Sequence, residues 1–472
     1  MHHPDDLPHS WRVSSLLSLP IGLLAVFLFC IPGLLNGSPL MYPDTRSYFM
    51  GGRAAVDKVH AVVIHLLHLN ALVDSPDALV QQARGVRSAY YSLFTYLLTI
   101  GGSVWAVIVV QAILCTWVIW MIHRTFLRAD EVPVRMPKVL VAMTLLTSLP
   151  WTVSFMMPDI FTPLLVLTLG CVLIQWSVLH PGQRLALLLM AGLSIVMHIT
   201  NLPMALGLTL LIVILQWRQF RARLAAYVAI SGVMAGATVA MLIVGLVGFH
   251  EWSIQPQSPP FLTARSLDDG PGKLYLREHC PQLNFVLCRY LDRLDVGADD
   301  FIWHANGVYS AVSPEDQAQM RREDKRLYFL AAAEHPLMQI SAIAQDTVDQ
   351  LLSFTLHDSR VPSFAQFKDG DMKLTVPESF PPWLVALSVI DYIAVVAACL
   401  ILRFLWVFGR LTPPAKTLIL VVSVAVVLNA FAGAMSMPAP RYEARIIWLL
   451  PLMAAIFWRL SPAELSIEGV AA

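Results

Sequence analysis

Apolar runs long enough to approach a bilayer's thickness recur from one end of the chain to the other, and this pattern constrains the fold most. A membrane-crossing helix needs about 20 mostly apolar residues. Ten runs come near that length. They cover about Leu16 to Leu35, Val104 to Ile122, Val139 to Phe155, Ile160 to Leu179, Leu185 to Met197, a sixth ending near Trp217, Leu224 to Phe249, Trp383 to Leu402, Thr417 to Met435 and Ile446 to Leu460. Only 14% of residues are charged, where a soluble domain carries roughly a quarter. The expectation is an all-α polytopic membrane protein of about ten transmembrane helices. A formal net charge of zero gives no support for a nucleic-acid partner. Arg12 ahead of the first run, with no small-residue cleavage site behind it, reads as an uncleaved signal-anchor.

Lysine and arginine in short connections set orientation. Arg124, Arg128, Arg135 and Lys138 follow the second run, Arg184 the fourth, and Arg218, Arg221 and Arg223 the sixth. Arg403, Arg410 and Lys416 follow the eighth, and Arg459 closes the tenth. With ten spans all of these fall on one side, the cytoplasmic one. The expected organisation is a transmembrane module over 1–249 with its first outer loop at 36–102, an outer soluble segment over 250–382, and three spans over 383–472. In the first loop, Ala54 to Val73 has a helical stripe of Val56, Val59, Val63, Leu66 and Leu67, suited to the membrane interface. Ser88 to Ile100 is a second such stretch.

This orientation places two carboxylates, Asp44 and Asp159, at the outer mouths of separate spans. Such acids are costly at a membrane edge unless used or paired. Together they can deprotonate an acceptor hydroxyl or hold a divalent cation (Mg or Mn) through oxygen ligands. Alternatively each is a solvated loop acid, or Asp159 an N-cap of the run behind it. Arg441 and Arg445, four apart and beside Tyr442, sit in a short outer loop where cations are unusual. Planar guanidinium groups recognise phosphate oxygens; snorkelling to headgroups or pairing with Glu443 is the other reading. His198 and Asn201, at a break between runs, can bind a sugar or phosphate, or simply cap freed backbone groups.

Cys280 and Cys288 lie together in the outer segment and can bridge in an oxidising compartment. The other four cysteines, Cys30, Cys115, Cys171 and Cys399, fall in apolar runs. His60, His65 and His68 lack a cysteine or close carboxylate to complete a usual metal site. Gly270-Pro271-Gly272-Lys273 lacks the first glycine of a phosphate-binding loop and reads as a turn.

Pro43-Asp44-Thr45-Arg46-Ser47-Tyr48 resembles the Asp-containing first-loop motif of GT-C type glycosyltransferases, polytopic enzymes that use polyprenyl-phosphate-linked sugars. Met157-Pro158-Asp159 is similar to their second acidic position, and Arg441-Tyr442 to the Arg-Tyr pair of several bacterial members. The resemblance implies transfer of a sugar from a polyprenyl-phosphate-sugar donor to a lipid, glycan or protein acceptor, at the periplasmic face of a bacterial inner membrane. It implies Asp44 as base, Asp159 as orienting acid, and phosphate or substrate contacts from Arg46, Tyr48, His198, Asn201, Arg441, Tyr442 and Arg445. Thr45 stands where the protein mannosyltransferase branch has a second acid, and the soluble segment is not C-terminal as in oligosaccharyltransferases.

A transporter or flippase of a lipid-linked or anionic substrate is the competing reading, although such proteins commonly show internal repeats and none is visible here. A third is an assembly subunit. Geometry separates them: a transferase brings Asp44, Asp159 and the Arg441/Arg445 pair to one outer cavity.

Overall fold

The computed structural model describes residues 9–66, 87–128, 130–280, 282–368 and 371–458. These residues are mostly helical. The first half holds α1 (His9–Phe29), α2 (Ile31–Asn36), α3 (Thr45–Leu66), α4 (Ala89–Thr99), α5 (Trp105–Phe126), α6 (Val132–Leu146), α7 (Leu149–Ser154), α8 (Phe161–Leu169), α9 (Pro181–Met197), α10 (Asn201–Leu215) and α11 (Phe220–Phe249). The middle holds α12 (Phe261–Asp269), α13 (Pro271–His279), α14 (Ala298–Trp303), α15 (Val308–Ala311), α16 (Pro314–Glu334) and α17 (Pro336–Leu352). An antiparallel hairpin of β1 (Phe364–Lys368) and β2 (Asp371–Thr375) precedes α18 (Trp383–Val407), α19 (Pro413–Ala434), α20 (Pro440–Ile447) and α21 (Leu449–Phe457).

Among the described residues, four helices are long and apolar enough to cross a membrane: Trp105–Phe126, Trp217–Phe249, Trp383–Val407 and Pro413–Ala434. The other expected spans are helical but shorter or broken. The first run breaks at Cys30, just ahead of Pro32, and the third at Thr147–Ser148, ahead of Pro150. Proline lacks the N–H that would continue a helix and clashes with the preceding turn, yet fits the first turn of a new one. The fourth run starts in a 3₁₀ turn at Pro158–Ile160 and ends in a π turn at Gly170–Ile174. α9 and α10 have 17 and 15 residues, and the last run divides at Trp448. Along α18, Val385, Val389, Ile393, Val396 and Leu400 are exposed, an apolar face of the kind a membrane-crossing helix presents.

Helices from both chain ends share one apolar core, with Phe161, Leu418 and Trp448 among its fully buried members. The middle segment has its own, built on Leu267, Leu276, Phe301 and Leu327. Cys280 and Cys288 are bridged there. Arg265 ties the segment together by pairing with Asp268, Asp269 and Asp346.

Backbone lacing brings the two acid-bearing stretches side by side. Leu40 donates to the Ser154 carbonyl at 2.9 Å and its own carbonyl accepts from Met156 N at 3.0 Å. Gln111, fully buried in α5, donates from Nε2 to the carbonyls of Val153 and Phe155, while its Oε1 accepts from Tyr91. Asp44 therefore lies close to the strand of chain that leads into Asp159. α3 starts at Thr45, directly after Asp44, rather than at the expected Ala54. Residues 67–73 of that expected helix, with His68, and the cation Arg459 lie outside the described residues; His60 is exposed.

The packing of α3 on α4 depends on Gly52. A Cβ there would stand 2.1 Å from the Ser92 carbonyl oxygen and 2.5 Å from Tyr96 Cβ. Backbone cannot yield as a side-chain tip can, so Gly52→Val should cost about 3 kcal/mol by overpacking. The check is a lowered thermal unfolding midpoint for purified protein in detergent.

Candidate functional site

A cavity of about 800 Å³ opens between one end of the apolar helices and the middle segment. Its wall includes Asp44, Tyr48, Asp159, His198, Arg441, Tyr442 and Arg445. Seven of the nine residues expected at the site thus share one cavity, although they come from four stretches far apart in the chain. Arg46 and Asn201 are placed elsewhere. Arg46 turns to the hairpin, donating to Asp371 Oδ2 at 2.8 Å and the Met372 carbonyl at 3.1 Å. Asn201 is fully buried at the start of α10 and accepts from Thr162 Oγ1 at 2.8 Å while donating to the Ser194 carbonyl at 2.7 Å. It secures the break between α9 and α10.

The two acids are held by guanidinium groups. Asp44 Oδ1 pairs with Arg87, and Oδ2 accepts from Arg441 Nη2 at 3.4 Å. Asp159 Oδ1 accepts from Arg445 Nη1 at 3.2 Å, so its carboxylate faces inward rather than capping a helix. The two arginines, four apart on α20, differ in what satisfies them. Arg445 is 4% exposed and uses every nitrogen. Nε and Nη2 donate to Asn429 Oδ1 at 3.2 and 2.8 Å, and Nη1 reaches His198 Nε2 at 3.1 Å as well as Asp159. Asn429 in turn donates to Glu443 Oε2 at 3.0 Å and to the Tyr442 carbonyl at 2.6 Å, so Glu443 pairs with Asn429 instead of the arginines.

Arg441 is different. Its guanidinium lies 3.9 Å from the centroid of Tyr42 and 4.9 Å from that of Tyr442, between two aromatic faces. Nη2 contacts Asp44 and the Tyr442 hydroxyl, each at 3.4 Å, while Nε and Nη1 are buried and have no hydrogen-bond partner among the described residues. A buried, unsatisfied cationic donor costs free energy that an arriving oxyanion would recover. Asp358 accepts from Arg441 N at 3.1 Å and fixes the start of α20.

Several contributors escape a reading of the sequence. Arg87 pairs with Asp44 and stands over Tyr48 and Trp303, at 6.0 and 5.8 Å from the ring centroids. Its signal is the one that exposed Arg441 and Arg445, a cation just ahead of an apolar stretch on the side where the sequence leads one to expect few. Asp358, Trp303 and Asp299 reach the cavity wall from the middle segment, and no local pattern announces them. Tyr42 also lines the cavity, directly ahead of the Pro43–Tyr48 motif. Burial beside Arg441 and Asp358 leaves its hydroxyl pushed up to about 12, with desolvation the main cause.

Comparison with protein families, with curated proteins and with solved structures returns no match.

His198 completes the electrostatic picture. Arg445 has no acceptor, so His198 Nε2 accepts from it, while Nδ1 lies 2.7 Å from Thr200 Oγ1 and 3.3 Å from the Thr200 backbone N–H. Burial, then the Arg445 charge, push its pKa from 6.5 down to about 3. The folded state therefore resists a proton that the unfolded chain accepts. Stability is complete above pH 6.5 and falls as the pH drops from 6.5 towards 3, with a slope of at most about 1.4 kcal/mol per pH unit from this one group. Thermal unfolding midpoints across that range should fall less steeply in His198→Gln than in the native chain.

Proposed function

We propose that this protein is a GT-C-like membrane glycosyltransferase, with about ten transmembrane passes and its active cavity on the periplasmic side of a bacterial inner membrane. The donor is a polyprenyl-phosphate-linked sugar, and the acceptor a hydroxyl of a lipid, glycan or protein. The observation that carries this reading is Arg441, which lines the same cavity as Asp44 and holds two buried nitrogens, Nε and Nη1, with no hydrogen-bond partner among the described residues. An orphaned guanidinium between two aromatic faces suits a phosphate, and a carboxylate beside it suits a proton.

In this mechanism the donor phosphate takes the free nitrogens of Arg441. The acceptor hydroxyl then attacks the anomeric carbon in one displacement, giving inversion. Its proton passes to Asp44, and the bond from the anomeric carbon to the phosphate oxygen breaks with its electron pair on the phosphate. Arg441 stabilises that growing charge. Arg445 acts as a positioning residue, because Asn429, Asp159 and His198 occupy all its nitrogens. The 3.4 Å contact between Arg441 and Asp44 is long enough that a phosphate drawing Arg441 away would free Asp44 Oδ2 for its proton.

Purified protein in nanodiscs, incubated with a panel of polyprenyl-phosphate sugars, should consume one of them. Asp44→Asn should lower transfer by about 10²–10⁴-fold, the range of a lost general base, and Arg441→Gln by about 10²–10³-fold. Both should keep the native elution volume. Near-native turnover in Asp44→Asn would exclude this mechanism.

Asp44 and Asp159 do not suit a divalent cation. Both oxygens of Asp44 and one of Asp159 face guanidinium groups, so a cation would displace an arginine and meet like charge. Among the described residues, three ligand atoms gather only at Glu278, His279 and Glu334, outside the cavity wall. Transfer is accordingly expected to persist in excess EDTA, and a loss restored by Mg or Mn would overturn the cation-free reading.

A further inference from the structure

α17 is amphipathic in the reverse sense of a soluble helix. Leu337, Ile340, Val348 and Leu352 are 82%, 63%, 52% and 62% exposed. With exposed Ala344 they repeat every three or four residues, one continuous face. The opposite face turns Gln339, Asp346 and Gln350 inward, while Ser341, Gln345 and Asp349 are exposed along one flank of the apolar face. Gln339 and Gln350 are 3% and 0% exposed. Gln350 exchanges bonds with the Ala439 backbone at 2.8 and 3.0 Å, and Asp346 pairs with Arg265. In water this arrangement leaves the apolar face unburied and the amides desolvated, so both faces oppose it. In lipid it is the favoured arrangement.

We infer that α17, with the neighbouring end of α16, is seated in the outer leaflet of the bilayer, so that the middle segment contacts lipid directly. Three observations select lipid as the occupant. α17 packs against α19, one of the four helices long enough to cross the membrane, and Gln350 meets the outer end of that helix at Gly433. The apolar face thus continues a surface that already borders lipid. α17 contains no lysine or arginine, and of its two aspartates Asp346 pairs with Arg265 while Asp349 is exposed beside the apolar face, which sets the helix at the level of the interface rather than in the acyl core. On α16, Phe329 is 62% exposed and follows exposed Arg322, Lys325 and Arg326 by one to two turns. Cations above an apolar cluster match anionic headgroups above acyl chains. Through α12, which packs on α17 and supplies Phe261 to the cavity wall, the lipid contact holds the middle segment over the site. The inference stands whether or not that site transfers sugar.

Spin labels test it in the full-length protein in nanodiscs. Cys399→Ala removes the exposed thiol, and Ile340→Cys, Val348→Cys and, as a solvent control, Asp292→Cys receive the label. Labels at 340 and 348 should collide more with oxygen, which partitions into lipid, than with a water-soluble nickel chelate; the control should show the opposite order. Nickel collisions dominating at all three positions would overturn the inference. Exclusion of both reagents at 340 and 348, with dipolar broadening between labels, would assign the face to a second copy of the chain and overturn it equally.

Discussion

Two guanidinium–carboxylate contacts join parts of the chain that lie far apart in sequence. Arg445 and Asp159 are 286 residues apart in sequence, and Arg441 and Asp44 are 397 apart. An isolated charge here would cost several kcal/mol in desolvation, so each cation requires its acid. Removing one partner costs more than the pair contributes, because the other is left buried and uncompensated. The pairs thus act less as a source of stability than as a constraint on register. They fix where α20 sits relative to the first loop, and hence where the cavity lies.

The same constraint divides the labour between two arginines that look equivalent on a helical wheel. Asn429 makes the difference. Its oxygen accepts twice from Arg445, and its amide holds the Tyr442 carbonyl and Glu443. Arg445 is thereby locked against Asp159 and His198. One turn earlier, Arg441 has aromatic rings on either side in place of acceptors, which hold its plane without satisfying its N–H groups. The proposed binding and release of a phosphate would use the two guanidinium groups differently. One is rigid and sets the geometry; the other is oriented and still has donors to offer.

Much of this was legible in the sequence, for an identifiable reason. Asp44, Asp159, Arg441, Tyr442 and Arg445 stand out because a charge at the end of an apolar run is expensive wherever it points. Arg87 carries the same signal, but a long loop weakens the charge rule that would have flagged it. Asn201 could not be assigned, since an amide at a helix break looks the same whether it meets a ligand or the Ser194 carbonyl. Arg46 sits in the motif, yet its position one residue into α3 turns it towards Asp371. The apolar runs mark helices correctly but overstate their continuity. Hydropathy sums over Thr147–Ser148 and Gly170 without registering that the hydrogen-bond ladder changes there.

The middle segment shows where composition misleads. Its charged residues read as soluble, and for the core around Phe301 and Leu327 that is sound. In α17, however, glutamines and aspartate contribute the same polarity to a sum whether they face water or Ala439 and Arg265. Only direction separates a solvated helix from a lipid-facing one, and direction is set by partners that lie elsewhere in the chain. Once the polar face is seen to be the buried one, the cavity has a different setting. If α17 is seated in lipid as proposed, the roof of the cavity and its floor both border the bilayer, and the proposed lipid-linked donor would reach it sideways from the membrane, without leaving the leaflet that solvates it.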